Sequence, residues 1–122
     1  MAENDLEDGL VWKPAPVAPP AEGAVVGFEL AGLRMLVCRG EGELYVLNDR
    51  CPHALVRLSE GTLRGCILEC PVHGGKIDVR DGFPVAGPIQ RPAITHPVRE
   101  RENTIEVGLP APHSPSRGFR TR

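Results

Sequence analysis

The stretch that decides the fold is "CPHALVRLSEGTLRGCILECPVHGG", residues 51–75. It contains two short motifs, CPH at residues 51–53 and CPVH at residues 70–73, and each pairs a thiol with an imidazole. Thiolates favour soft metals and iron–sulfur clusters, and imidazoles bind several transition metals. Because the pairing occurs twice, it indicates a metal centre far more specifically than a single Cys-x-His would. Four side chains are the candidate ligands: Cys51, His53, Cys70 and His73.

The order of these ligands bears on the kind of metal centre. Zinc modules usually group like ligands, with two cysteines on one turn and two histidines on a helix. Here each motif supplies one cysteine and one histidine, and Gly74 and Gly75 follow His73 directly. The order suits a cluster with two inequivalent irons, in which two histidines replace two cysteines on one iron. A tetrahedral zinc site, a mononuclear iron site and four structural residues with no metal stay open as alternatives at this point.

With these motifs the chain resembles the Rieske-type ferredoxin family. The resemblance is strongest from about Asn48 to Pro88, where it includes "CPHALVRLSEG", "LECPVHGGKIDVRDG" and the Gly87-Pro88 turn. It extends more loosely over residues 12–107. The resemblance implies one Rieske-type [2Fe–2S] cluster, with Cys51 and Cys70 on one iron and His53 and His73 on the other.

The resemblance also implies a Rieske fold. In that fold a small antiparallel sandwich or barrel forms the base domain, and a cluster-binding subdomain is inserted at about residues 49–88. The residue pattern independently predicts an all-β fold, because short strand-like runs alternate with turn signals and no amphipathic helix of ten or more residues occurs. The predicted hairpins pair residues 34–38 with 44–47, 67–69 with 76–79, and 98–102 with 104–107.

A chain of 122 residues allows one domain. We expect residues 1–10 to be a flexible acidic leader, residues 11–108 to form the single Rieske domain, and residues 109–122 to be a flexible basic tail. The four prolines within residues 14–20 predict an extended edge or connector, because proline removes backbone donors from a sheet.

Composition limits the classes of function. The net charge of −2 argues against general nucleic-acid binding, and no apolar run approaches the ~20 residues that span a bilayer. We therefore expect a soluble monomer, and because no secretory signal is recognised, a cytoplasmic one. Cys38 and Cys66 are expected to be small buried hydrophobes, with a disulfide between them as the alternative. His96 and His113 are expected on the surface.

Four residues around the predicted cluster bear on its reduction potential. By the resemblance, high-potential members of the family carry a disulfide between the ligand loops, and Val56 and Val72 occupy those positions here. The same members place serine and tyrosine hydroxyls near the cluster sulfurs, where this chain has Gly75 and Ile77. Hydrogen bonds to the sulfurs stabilise the reduced state, so their absence predicts a potential at the low end of the ~−150 to +300 mV Rieske range.

By the resemblance, the expected function is that of a ferredoxin component rather than an enzyme. It would carry single electrons from an NAD(P)H-dependent flavin reductase to a terminal aromatic-ring-hydroxylating oxygenase. The chain has no G-x-G-x-x-G segment for a dinucleotide, so both partners would act in trans. Arg57 and Lys76 are candidate docking charges. Two alternatives remain: a small Rieske-like subunit of a larger reductase of the nitrite reductase type, and a zinc-stabilised interaction module.

Overall fold

The computed structural model describes residues 6–7, 9–52, 55–72 and 74–110 of the chain, with residues 6 and 7 described by their backbone only. These parts form short strands joined by turns. The strands are β1 (Leu6–Glu7), β2 (Leu10–Pro14), β3 (Val25–Leu30), β4 (Leu33–Gly40), β5 (Glu43–Asn48), β6 (Thr62–Arg64), β7 (Ile67–Glu69), β8 (Lys76–Asp78), β9 (Pro84–Ala86), β10 (Thr95–His96), β11 (Val98–Arg101) and β12 (Thr104–Pro110).

The strands assemble into three antiparallel sheets of four strands each. Sheet A has the order β1-β2-β12-β11, sheet B the order β10-β5-β4-β3, and sheet C the order β6-β7-β8-β9. Within the described residues the only helical piece is a 3-10 turn at Leu58–Glu60, and no helix there is suited in length and hydropathy to a membrane span. The prediction of an all-β antiparallel fold is therefore confirmed.

Sheet B is the middle layer, because strand β4 is buried on both faces. Met35 and Val37 point into one apolar core, which they share with Ile105 of sheet A. Leu36 of β4 points into a second core, which it shares with Leu68 of sheet C. Alternate side chains of a strand lie on opposite faces of its sheet, so one strand supplies both cores. The continuous apolar run at residues 35–38 follows from this position.

The hairpins at both ends of the predicted pattern form as expected. β4 pairs with β5 around Glu41-Gly42, and β11 pairs with β12 around Glu102-Asn103. All four turn residues have positive φ, as a two-residue turn between twisted strands requires. The carboxylate of Glu22 closes the first turn by accepting the backbone N–H groups of Glu41 at 2.7 Å and Gly42 at 2.9 Å.

The strands of sheet A extend into both predicted terminal segments. β1 and the start of β2 lie within residues 1–10, and Leu109, which is buried, lies within the predicted tail. Pairing of Leu10 with Pro110 explains this, since each segment completes the other's backbone hydrogen bonds. Pro14 is the last residue of β2, and residues 15–20 belong to no strand, which agrees with the predicted connector and not with an edge strand. Residues 1–5, 8 and 111–122 lie outside the described residues.

Candidate metal centre

Both cysteines of the predicted ligand set lie at the ends of strands. β5 leads through residues 49–50 directly into Cys51, and Cys70 follows β7. The N–H of Cys51 donates to the carbonyl oxygen of Val56 at 3.0 Å, and the N–H of Cys70 donates to the carbonyl oxygen of Gly75 at 2.7 Å. A backbone hydrogen bond from the cysteine N–H therefore closes each ligand loop. This bond fixes the orientation of the cysteine side chain.

The two loops bring the thiols of Cys51 and Cys70 together. Both residues are about 99% buried, with 1% of each exposed, and their side chains are within hydrogen-bond distance. Burial raises the pKa of Cys70 to about 11, whereas the backbone N–H of Val72 lowers it and the neighbouring Cys51 thiol raises it. Burial therefore opposes the bare thiolate at Cys70, and a bound cation would offset that cost.

The other two predicted ligands, His53 and His73, lie outside the described residues. Among the residues that are described, no group of three or more potential metal-binding side chains is found. The structure therefore brings the two cysteines together, and the histidine half of the ligand set stays a prediction. The donors present are soft sulfurs in a water-poor pocket supported by a backbone N–H, which fits an iron–sulfur cluster.

A third loop packs directly against the second ligand loop. A Cβ at Gly87 would lie 2.6 Å from the Cα of Gly75, and the φ of Gly87 is +81°, so only glycine fits there. A Cβ at Gly75 would in turn lie 2.7 Å from two side-chain carbons of Ile89. The Gly87-Pro88 turn is therefore next to the ligand loop, and Gly75 is closely covered by apolar atoms.

By the resemblance, this chain lacks the disulfide and the hydroxyls of the high-potential members, and the side chains at those positions are apolar and packed. Val56 and Val72 are partly buried against the core that contains both cysteines, and Ile77 is fully buried in that core. None of the three side chains carries a thiol or hydroxyl, and Gly75 has no side chain. The positions that would tune the potential upward therefore hold no hydrogen-bond donor on their side chains.

Sequence analysis missed one residue that supports the first ligand loop. Asp49 is buried, and its carboxylate accepts the N–H of Ser59 at 2.7 Å and the hydroxyl of Ser59 at 2.6 Å. The Nε of Arg34 lies 3.4 Å from the same carboxylate. Gly27 leaves the necessary space, because a Cβ there would lie 2.6 Å from the Arg34 guanidinium. Asp49 thus ties the start of the loop to the turn that follows it.

Cys38, Cys66 and His96 are packed or hydrogen-bonded within the fold. Cys38 and Cys66 are buried free thiols, so the predicted packing role agrees with the structure and the alternative disulfide is absent. Burial raises the pKa of Cys38 to about 12.

His96 was expected on the surface, but it is half-buried and its Nε2 lies 2.6 Å from Oδ1 of Asn48. The difference arises because β10 pairs with β5, a contact between distant segments. His113 lies outside the described residues.

Comparisons with known proteins agree with this geometry. A family model described as the Rieske [2Fe–2S] domain matches residues 12–101. The ferredoxin component of the naphthalene 1,2-dioxygenase system of Pseudomonas aeruginosa is 33% identical over 72% of this chain and 85% of the relative. The anthranilate 1,2-dioxygenase ferredoxin subunit of Burkholderia cepacia is 40% identical over 55% of this chain and 62% of that protein.

The fold is also similar to solved structures. One of them is described as the complex of reduced oxygenase and oxidized ferredoxin in carbazole 1,9a-dioxygenase. The matching chain has a TM-score of 0.73 and 31% sequence identity, and the match covers 79% of this chain and 91% of that one. The layered arrangement of short sheets is therefore shared with a chain of that complex.

Proposed function

The chain belongs to the Rieske [2Fe–2S] domain family, and from this premise we propose that it carries single electrons between a flavin-dependent reductase and a terminal oxygenase. The observation that carries the proposal is the meeting of the Cys51 and Cys70 thiols, from two separate loops, in the core. The related proteins are named as ferredoxin components of dioxygenase systems, which supports a carrier over an enzyme.

The cofactor is a Rieske-type [2Fe–2S] cluster. We propose that Cys51 and Cys70 bind one iron and that His53 and His73 bind the other. When bound, the cluster supplies a centre that accepts and releases one electron. The chain's own contribution is to exclude water from the cysteine side, to hold the thiols in closed loops, and to donate the Val72 N–H to the Cys70 sulfur. The apolar Ile77 and the bare Gly75 support a low potential.

The proposed partners act in trans. A solved neighbour is described as a complex of ferredoxin with its oxygenase, and this supports transient docking to an oxygenase of the aromatic-ring-hydroxylating type. An NAD(P)H-dependent flavin reductase as electron donor and a monomeric state belong to the proposal as well. So does a cytoplasmic location, because NAD(P)H is supplied there and buried free thiols such as Cys38 suit a reducing compartment.

The ligand set is tested by single alanine substitutions. Cys51→Ala and Cys70→Ala should abolish the visible absorption of the cluster and the anisotropic EPR signal of the reduced protein, whose average g lies below the free-electron value. Cys38→Ala is the matched control, because it also removes a buried thiol but leaves the two loops intact. Retention of the cluster in the Cys70 variant, or a colourless wild-type protein that binds zinc, would contradict the assignment.

The carrier role is tested by potentiometry. The reversible wave should correspond to one electron, with a midpoint below about +100 mV on the Rieske scale. The reduced protein should then transfer its electron to the oxygenase of the related naphthalene dioxygenase system. A midpoint at the upper end of the range would contradict the low-potential part of the proposal.

A further inference from the structure

Two cavities flank the end of β5, where the chain enters the first ligand loop. One, of about 450 Å³, is lined by residues that include Arg34, Arg50 and Arg57. The other, of about 380 Å³, is lined by Cys51 itself and by Arg50 and Arg91. Asn48 and Arg50 line both cavities, so the two are neighbours that share one wall.

The charge of this region is positive and largely uncompensated. The two linings together contain four arginines and one carboxylate, that of Asp49, which is buried and paired with Arg34. In the described part of the chain, no carboxylate lies within ion-pair distance of Arg50, Arg57 or Arg91. Two acidic residues lie on adjoining elements outside the linings: Glu29 is opposite Arg34 in the β3–β4 register, and Glu60 is in the 3-10 turn. The chain as a whole is negative, so these arginines are locally concentrated.

Exposed apolar side chains accompany the arginines. Leu33 and Leu55 line the first cavity and are 44% and 82% exposed, and Ile94 lines the second and is 60% exposed. Arginine and large apolar residues are enriched in protein interfaces, whose centres are apolar and whose rims are polar. We call the set of Arg34, Arg50, Arg57, Arg91 and the three apolar residues the arginine face.

The opposite end of the same strands is acidic. β4 and β5 run between the arginine face and the Glu41-Gly42 turn, where Glu22, Glu41 and Glu43 are exposed. Arg39 also reaches this turn, but its guanidinium is paired with Glu100 at 3.4 Å. An eight-residue strand spans roughly 25 Å, so the two ends carry opposite charge over more than a Debye length. Such a distribution orients an approaching charged partner before contact is made.

From these observations we propose that the arginine face is the docking surface for a redox partner whose own face carries carboxylates around an apolar side chain. The inference rests on the proposed carrier function. It places docking on the side of the first ligand loop, beside Cys51. The partner's charge would select this end of the molecule over the acidic end.

The test uses the intact cluster-loaded protein on gold electrodes. A carboxylate-terminated alkanethiol monolayer represents the acidic partner face, and an amine-terminated monolayer represents its opposite. At low ionic strength the interfacial electron-transfer rate should be at least about tenfold higher on the carboxylate surface, and salt should reduce the difference. A faster rate on the amine surface would overturn the proposal.

Charge reversal locates the docking surface on the molecule. Arg57→Glu and Arg91→Glu should each slow electron transfer several-fold on the carboxylate surface. Lys13→Glu is the matched control, because Lys13 lies on β2 of sheet A and no carboxylate in the described part of the chain lies within ion-pair distance of it. It should leave the rate within about twofold. Equal slowing by all three variants, or by none, would overturn the proposal.

Two further measurements distinguish failure of the proposed docking surface from failure of the proposed carrier function. Each variant must retain the visible spectrum and midpoint of the wild type, and one that does not is replaced by the corresponding Arg→Gln variant. A protein with no reversible one-electron wave on either surface would contradict the carrier function itself. A normal wave that is indifferent to Arg57 and Arg91 would contradict only the docking surface.

Discussion

Asp49 shows how one buried side chain can hold a ligand loop in place. Its carboxylate accepts two hydrogen bonds from Ser59 and pairs with Arg34. Because Asp49 lies two residues before Cys51, these contacts join the start of the first ligand loop to the 3-10 turn that follows the loop. Sequence alone did not reveal this role, because aspartate at the end of a strand is usually exposed. The cysteines were found because their spacing is itself informative, whereas the burial of Asp49 depends on β3, β4 and the 3-10 turn meeting in space.

Replacing Asp49 tests this role. Asp49→Ala should lower the free energy of unfolding by about 3 kcal/mol, because it leaves Ser59 and Arg34 without their buried partner. Loss of the cluster, followed by visible absorption, should also accelerate. Asp81→Ala is the control, since Asp81 accepts one N–H, from Phe83, in an exposed turn. If both variants changed urea unfolding equally, Asp49 would not have the special role.

Gly75 and Ile89 determine whether the serine hydroxyl of the high-potential members can be introduced at position 75. Gly75→Ser alone should weaken cluster retention, because its Cβ would lie 2.7 Å from Ile89 side-chain carbons. The double variant Gly75→Ser/Ile89→Ala should retain the cluster and raise the midpoint by about 60 mV, which corresponds to about 1.4 kcal/mol for one electron. Potentiometry measures the shift, with Ile89→Ala as control.

An unchanged midpoint in the double variant, with the cluster intact, would show that position 75 does not reach the cluster sulfurs. In that case the predicted low potential would have to rest on another feature of the site, such as the apolar side chain at Ile77.

At the scale of elements, β10 pairs with β5, the strand that leads into the first ligand loop, and is followed directly by β11 of the last hairpin. Its His96 pairs with Val46 of β5 and approaches Asn48. Burial lowers the pKa of His96 below its ordinary value of 6.5. The unfolded chain therefore binds more protons than the folded chain between the two pKa values. The stabilising contribution is present above about pH 6.5 and is lost as the pH falls toward the folded pKa.

His96→Gln should remove this dependence while keeping a side-chain donor for Asn48. Between about pH 7.5 and about pH 5.5, the free energy of unfolding should fall less in the variant than in the wild type. The other histidines are common to both proteins, so the difference between the two curves reports His96. Parallel curves would contradict the assignment.

Among the elements closed by local turns, the β4–β5 and β11–β12 hairpins could be predicted, whereas β3, which pairs with β4 across Ala31-Gly32, was not. Gly40-Glu41-Gly42 and Asn103 indicate the two hairpins correctly, because turn residues with positive φ constrain their immediate neighbours. β2 and β10 escaped prediction, because each is short and is defined by pairing with β12 or β5. Such pairings have no local signal in the sequence.

At the scale of the whole molecule, only one of the two apolar cores in the described part of the chain contains the predicted cysteine ligands. The core between sheets B and C contains Cys51 and Cys70, whereas the core between sheets A and B contains neither. The fold class could be predicted from periodicity, but this layering could not. The continuous apolar run along β4 shows that both faces are apolar without showing what covers each face.

Removal of the cluster should therefore loosen one half of the protein more than the other. After anaerobic chelation, amide hydrogen exchange should accelerate most in β7 and β8 and least in β12 and the β4 residues that face it. Mass spectrometry of proteolytic fragments measures this. Uniform acceleration across all three sheets would show that the two cores unfold as one unit.

The pairing of β2 with β12 has a consequence for the order of folding. Trp12 lies opposite Gly108, so this contact closes a loop that contains almost all of the described chain. Closing a long loop costs entropy that adjacent hairpins such as β3–β4–β5 avoid. During synthesis, the middle and cluster-side strands can pair before β12 has left the ribosome, and sheet A can close only afterwards. The ligand loops would then be in place while one face of sheet B is still open to water.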